Sequence, residues 1–215
     1  MEENKLFSKV FMWMFLGLLT TGLTSYYVVS NPNILINILG GSTYLILILL
    51  ELGVVLFLSS RIRKMSFMTA WISFIFYSLL NGITLAAILI VYELSSIILM
   101  FGLTAFLFLI FGLIGYFTNI DLSKFGNILL MMLIGILITS LINIFLGNET
   151  IDIIICAIGV LVFLGLVAYD VQKIKQLTYV MEDNNKIAIL GALELYLDFI
   201  NIFLYLLRLF GNSRD

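Results

Sequence analysis

The sequence predicts an all-α integral membrane protein, a seven-helix bundle with its C-terminal helix at the centre and its N-terminus in the cytoplasm. Three observations predict it. First, 62% of the 215 residues are hydrophobic and only 11% are charged, whereas a soluble domain is about half apolar and roughly a quarter charged. Second, the apolar residues form near-continuous Leu/Ile/Phe runs with a single proline, Pro32. Such runs suit helices; a barrel would alternate over segments of about ten residues. Third, Glu194, Asp198, Asn201, Tyr205 and Arg208 follow one another at alternating steps of four and three inside the last apolar segment. On a helix that spacing makes one polar stripe. An ionisable group in hydrocarbon costs several kcal/mol or changes its protonation state. The stripe therefore faces other helices or a water-filled cavity, and its helix belongs in the middle of the bundle.

The spans follow in order. After a polar start, Met1 to Lys9, the first runs from Val10 to Ser30 and stops at the turn signal Asn31-Pro32-Asn33. The second runs from Ile34 to Leu58, carries Glu51, and ends at Arg61-Ile62-Arg63-Lys64. The third covers Phe67 to Val91 with Asn81-Gly82-Ile83-Thr84 inside it, and the fourth Ser95 to Phe117. A polar link, Asn119 to Asn127, leads to the fifth, Ile128 to Leu146, which carries Asn143. Past a short acidic loop, Gly147 to Asp152, the sixth runs from Ile153 to Ile174 with Tyr169-Asp170 near its end. Lys175 to Lys186 is the longest polar stretch, and the seventh span is Ile187 to Phe210. Each approaches the roughly 20 residues a bilayer needs. No length remains for a soluble domain, so residues 1–215 read as one membrane domain.

Orientation follows from the basic residues. The N-terminal tail and the even-numbered links hold Lys5, Lys9, Arg61, Arg63, Lys64, Lys124, Lys173, Lys175 and Lys186, while the odd-numbered links hold none. Only Arg208 and Arg214 lie at the C-terminal end. The count places the N-terminus inside and the C-terminus outside. No cleavable signal is expected, because the run from Val10 is long enough to span and lacks a small-residue cleavage site. Gly17, Gly22, Gly53, Gly112, Gly115, Gly135, Gly159 and Gly165 read as close-packing positions between helices.

Composition also argues against whole classes of chemistry. With one cysteine, Cys156, and no histidine, thiolate or imidazole metal sites and histidine-based triads have no ligands. A formal charge of −2 without a basic tract makes nucleic acid an implausible partner. Neither an enzyme nor a bound cofactor is expected.

What remains is the intramembrane carboxylates: Glu51, Asp170, Asp198, and Glu194 nearer the cytoplasmic end. At 1.5 Å per residue, Asp198 lies about 16 Å and Asp170 about 7 Å in from the same side. Helix tilt leaves the two within reach of each other. One acid alone can simply pair with a Lys or Arg to hold helices together; several acids on different helices mark an ion or proton path. Two carboxylates in hydrogen-bonding range at low dielectric share a proton, which makes such a pair a pH sensor. Deprotonated, it offers the oxygen ligands that hard cations such as Ca²⁺ prefer. Arg208 reads most simply as snorkelling to the outer surface, although pairing with an acid is open to it. Asn81, Thr84 and Asn143 either line a path or hydrogen-bond between helices. The basic residues at 61–64 read as the topology signal, and Tyr and Trp near span ends as interfacial anchors.

Two segments carry a family resemblance: Ala168-Tyr169-Asp170-Val-Gln-Lys-Ile-Lys, and Leu195-Tyr196-Leu197-Asp198-Phe199-Ile200-Asn201 continuing to Leu207-Arg208-Leu-Phe-Gly. Together with Asn81-Gly-Ile-Thr-Leu and Glu51 shortly before a basic loop, they make the chain resemble the bacterial form of the Bax inhibitor-1 family, the transmembrane Bax inhibitor motif proteins. The resemblance covers almost the whole chain. It implies a seven-helix bundle in a bacterial plasma membrane, acting as a pH-sensitive calcium leak. Its partners would be calcium ions, protons and the lipid bilayer, with Ca²⁺ as the transported ion. By the match, Asp170 and Asp198 would form the two-aspartate sensor and offer Ca²⁺ ligands, Glu51 would lie on the ion path, and Arg61 or Arg63 would be a latch. Glu194, Asn201 and Arg208, from the polar stripe, are further ion-path or gating candidates. Two features depart from the pattern: Glu194 stands where bacterial relatives carry a small or polar residue, and Ile62 interrupts the basic loop.

Rival readings are weighed by residue. An intramembrane aspartyl protease would share Tyr169-Asp170, but its Gly-x-Gly-Asp half is missing, since Leu195-Tyr-Leu precedes Asp198. A retinal protein needs a lysine well inside the last span, and there is none. A proton-coupled cation transporter and a non-conducting stress-regulatory scaffold stay open as alternatives to the leak.

Overall fold

The computed structural model describes residues 2–40, 42–178 and 183–214. Among these residues there are eight α-helices and no strand. Seven are long and apolar enough to cross a membrane. They are α1 (Glu2–Val29), α3 (Thr43–Arg61), α4 (Phe67–Leu89), α5 (Leu94–Phe117), α6 (Ser123–Leu146), α7 (Glu149–Leu177) and α8 (Asn184–Phe210); the short α2 (Pro32–Leu39) is the eighth. The last helix is the most enclosed: 78% of the most apolar stretch of α8 is buried, against 50% for α4 and α7 and 6% for α3 and α6. The placement of the polar stripe on an interior helix rests on that difference.

The expected second span, Ile34 to Leu58, is not continuous. Pro32 opens α2 in the first-turn position, where its missing N–H is no loss. Gly40 then turns extended (φ −72°, ψ 124°) and the helix restarts at Thr43. The Gly40-Gly41 pair explains the break, since each glycine disfavours helix by about 1 kcal/mol relative to alanine; Gly41 itself lies outside the described residues. Elsewhere helices run further into the polar links than hydropathy indicates. α6 begins at Ser123, whose backbone N–H donates to Asp121 Oδ1 at 3.0 Å. α7 begins at Glu149, so most of the expected acidic loop is its first turn. There Asn148 caps it by accepting from Ile151 N, and Gly147 takes the left-handed conformation (φ 60°). Asn143 bonds within the α6–α7 turn, its side chain meeting Asn148 O and Asn148 N. Of the stretch Lys175 to Lys186, residues 179–182 lie outside the described residues.

The chain divides into two compact units. The first contains α1 to α4 and the start of α8 up to Leu193. Here α1 and α4 lie in close contact along a strip of small residues. Gly17, Thr21 and Ser25 recur at four-residue steps on α1, matched by Phe74, Ser78 and Gly82 on α4. The Thr21 hydroxyl donates to Ser78 O at 3.0 Å and the Ser25 hydroxyl to Gly82 O at 2.7 Å, both buried. A Cβ on Gly17 would come within 2.5 Å of the Phe74 ring. Trp13 and Trp71 meet edge to face with centroids 6.1 Å apart, so these two rings pack on each other rather than serving only as anchors. α3 joins α4 through a polar clip. Asn81 Nδ2 donates to Glu51 Oε1 at 2.5 Å and Thr84 Oγ1 to Glu51 Oε2 at 2.6 Å. The three-residue spacing of Asn81 and Thr84 puts both donors on one face of α4.

The second unit contains α5 to α7 and α8 from Glu194. Gly115 of α5 lies against the backbone of Ala168 on α7, where a Cβ would have no room. Gln172 of α7 fastens the α5–α6 link, accepting from Leu122 N and donating to Ile120 O, each at 2.8 Å. Phe199 and Phe203 of α8 pack edge-on against Phe101 of α5 at 5.2 and 6.1 Å. The close-packing expectation holds for Gly17, Gly115, Gly159 and Gly165. It fails for Gly22, Gly53 and Gly135, where an added Cβ would meet nothing within 4 Å, and Gly112 makes only an ordinary contact at 3.9 Å.

Two outcomes follow for stability in detergent. Gly115→Val forces a side chain into the α5–α7 backbone contact and is expected to cost about 1–3 kcal/mol. It should lower the melting midpoint by fluorescence-detected size exclusion, whereas Gly135→Val should leave it in place. Glu51→Leu takes the acceptor from Asn81 and Thr84 and is expected to cost about 1–3 kcal/mol. Glu51→Gln, which retains one acceptor oxygen, should cost less. Equal melting for the leucine and glutamine variants would remove the clip from the account.

Candidate functional site

The polar stripe of α8 resolves into five different environments. Asp198 is 4% exposed, and its Oδ2 is buried without a hydrogen-bond partner among the described residues. Glu194, one turn earlier, has its Oε2 in the same condition. Asn201 closes on its own helix, donating from Nδ2 to Leu197 O at 2.7 Å, so its amide is satisfied locally. Tyr205 packs against Phe163 with centroids 5.9 Å apart and covers Gly159. Arg208 does more than snorkel: it forms an ion pair with Asp152 in the first turn of α7. Arg208 sits in the last turn of α8, so each charge also opposes the partial charge of its own helix end. Both groups are over a third exposed, which limits the pair to about 1 kcal/mol or less.

Asp170 of α7 is 8% exposed. It is bonded by Lys173, three residues on along the same helix, at 3.4 Å. The same ammonium donates to Glu194 Oε1 of α8 at 2.6 Å and lies 5.7 Å from the centre of the Tyr169 ring. A lysine thus joins an acid of α7 to an acid of α8. Asp198 lies within electrostatic range of Asp170, Glu194 and Lys173. The four groups form one cluster with three carboxylates and one ammonium. Phe199, the next residue after Asp198 in sequence, packs edge-on to Phe101 and Phe108.

The sequence-predicted residues therefore fall into distinct places. Asp170, Asp198 and Glu194 come together. Arg208 pairs with Asp152, and Asn201 turns back on its own backbone. Glu51 has both oxygens engaged by Asn81 and Thr84. Arg61 is exposed, at the end of α3; the side chain of Arg63 lies outside the described residues. Among the described residues, no group of three or more acidic, cysteine or histidine side chains is arranged to hold a metal ion. The cation in contact with Asp170 and Glu194 is Lys173 instead. Lys173, which contacts two of the acids, and Gln172, which fastens the α5–α6 link, are the contact-making residues that sequence reasoning missed. Lys173 counts there only as a topology charge, although its three-residue spacing from Asp170 is a helical ion-pair signal.

Comparison with known proteins agrees with this architecture. The family profile described as inhibitor of apoptosis-promoting Bax1 matches residues 3–215. The inner membrane protein YbhL of Escherichia coli is 43% identical over 213 residues, covering 96% of this chain and 91% of YbhL. An uncharacterized protein of Borreliella burgdorferi is 40% identical over 218 residues, covering 99% of this chain and 94% of its own. A third, from Rickettsia prowazekii and likewise uncharacterized, is 37% identical over 210 residues, covering 96% and 89%. With the profile and these relatives spanning almost the whole chain, this integral membrane protein belongs to the Bax inhibitor-1 family.

Proposed function

We propose that the protein is a pH-sensitive calcium leak, a passive Ca²⁺ conduit gated by protonation of the Asp170/Asp198 pair. The observation that carries the reading is the carboxylate of Asp198, buried inside a spanning helix with one oxygen unpartnered. Such a group is costly in a membrane unless it serves an ion or a proton. Asp170 on the neighbouring helix supplies the second carboxylate, and carboxylates at low dielectric share protons. Ca²⁺ and protons are the partners in this reading. It involves no catalytic step and no cofactor. Glu51, in the first unit, is a separate candidate for ion passage, with its oxygens now held by Asn81 and Thr84. Membership of the family and the inner-membrane relative support the setting. We take the orientation from the basic residues, with the N-terminus inside and the C-terminus outside.

The test is Ca²⁺ flux into dye-loaded proteoliposomes between about pH 5 and pH 8, the range in which a shared carboxylate proton changes hands. Wild type should conduct with a pH-dependent rate. Asp170→Asn and Asp198→Asn should each flatten that profile to within about twofold, because a neutral amide cannot take up the proton. Flux absent above empty liposomes, in correctly inserted protein, would sink the leak and favour a scaffold. Flux that moves only against a proton gradient would assign a coupled transporter.

A further inference from the structure

The last turns of α7 present two sets of side chains. Tyr169, Gln172 and Lys175 recur at three-residue steps along one side, and each meets the end of α5, the start of α6 or the link between them. Tyr169 covers Gly126 of α6, where an added Cβ would come within 2.7 Å of its ring. Gln172 accepts from Leu122 N and donates to Ile120 O, each at 2.8 Å. Lys175 donates to Tyr116 O at 3.2 Å and stands 4.6 Å from the centre of the Tyr116 ring, in the last turn of α5. The second set, Asp170 and Lys173, serves α8: Lys173 reaches Glu194, and Asp170 lies within electrostatic range of Asp198. We propose that Gln172 is a positioning residue: by fastening the α5–α6 link to α7 it fixes Asp170 relative to Asp198, and so sets how tightly the two carboxyls are coupled. This rests on the reading of these acids as the pH-sensing pair and adds what holds one of them in place.

Asp170 is not fixed by its own contact, since Lys173 meets it at 3.4 Å while holding Glu194 at 2.6 Å. The firm contacts lie two residues on. Gln172 is only 9% exposed, and its amide spends both a donor and an acceptor on backbone, as a peptide group would. The link between Phe117 and Ser123 has no regular structure, so its backbone groups need partners that a helix would otherwise supply. Gln172 supplies them, and in return the link limits rotation and sliding of α7 at the level of Asp170. Tyr169 and Lys175 flank Gln172 on the docked side, so loss of the amide loosens the dock without abolishing it. The charged and titratable groups within electrostatic range of Asp170 are Lys173 on its own helix and Glu194 and Asp198 on α8. A small displacement of α7 therefore changes the distances from Asp170 to the acids of α8.

Infrared difference spectroscopy across a pH series, on the full chain in lipid nanodiscs, tests the proposal, since a protonated carboxyl has a C=O band that the ionised form lacks. Asp170→Asn and Asp198→Asn identify the two bands. A coupled pair titrates in two separated steps. Gln172→Leu should bring the steps together by about one pH unit, a tenfold loss of coupling. Leu122→Pro removes one of the two bonds without touching α7, and at φ −77° the position accepts proline. It should narrow the steps in the same direction, by less. Asn143→Ala breaks the turn at the other end of α7; it should lower the melting midpoint yet leave the steps in place. If Gln172→Leu does not give monodisperse protein, Leu122→Pro decides. A single uncoupled step in wild type, steps unmoved by the two link variants, or steps moved as far by Asn143→Ala, would each overturn the proposal. Narrowed steps without Ca²⁺ flux in wild type would remove the leak and leave the positioning role standing. Flux with steps unmoved by the link variants would do the reverse.

Discussion

A bilayer offers no water to a polar group, so each polar side chain in a span must be satisfied by the protein or remain at a cost. That constraint organises every site described above. Where the group is a hydroxyl, the solution is a backbone carbonyl on the next helix, as for Thr21 and Ser25. Where it is Glu51, two neutral donors on α4 take one oxygen each. Where it is Asp170 and Glu194, a lysine from α7 bridges them. Asp198 Oδ2 and the second oxygen of Glu194, Oε2, have received none of these solutions among the described residues.

Apolar packing plays a different part. Lipid tails are as apolar as leucine, so burial against protein gains little over burial against lipid. Helices are then held where backbones approach closely or polar groups bond. α1 and α4 do both, along the Gly17–Thr21–Ser25 strip. α5 and α7 do it at Gly115 and Ala168. α8 adds aromatic contacts to Phe101 of α5 through Phe199 and Phe203.

Much of this was legible in the residues. Seven apolar runs of spanning length gave seven spans, and the four-three spacing of Glu194, Asp198, Asn201, Tyr205 and Arg208 identified the interior helix. The breaks and ends were harder. Gly40-Gly41, followed by Ser42-Thr43, lies between apolar runs on either side, so averaged hydropathy runs straight through it. A hydrogen bond from Ser123 N to Asp121 Oδ1 at the start of α6 and the Asn148 cap of α7 accompany helices that run into segments whose polarity reads as loop. Partner choice was the least legible. Asp152 looked like a loop residue and proved to meet Arg208, fifty-six positions away. Lys173 looked like one more inside charge, because positive residues at span ends have that simpler explanation. Which long side chain reaches which acid depends on helix packing that no local pattern records.

The attachment of α3 has a further consequence. Only 6% of its most apolar stretch is buried, so few of its side chains are enclosed by protein. Its contacts within its unit include two kinds: the hydrogen bonds from Asn81 and Thr84 to Glu51, and the packing of Tyr44 and Leu47 near its leading end against Val28, Ile38 and Ala86. An apolar change on its outward faces costs little, because lipid is as apolar as the leucine it replaces. A change at Glu51 removes a polar fixing that lipid cannot replace.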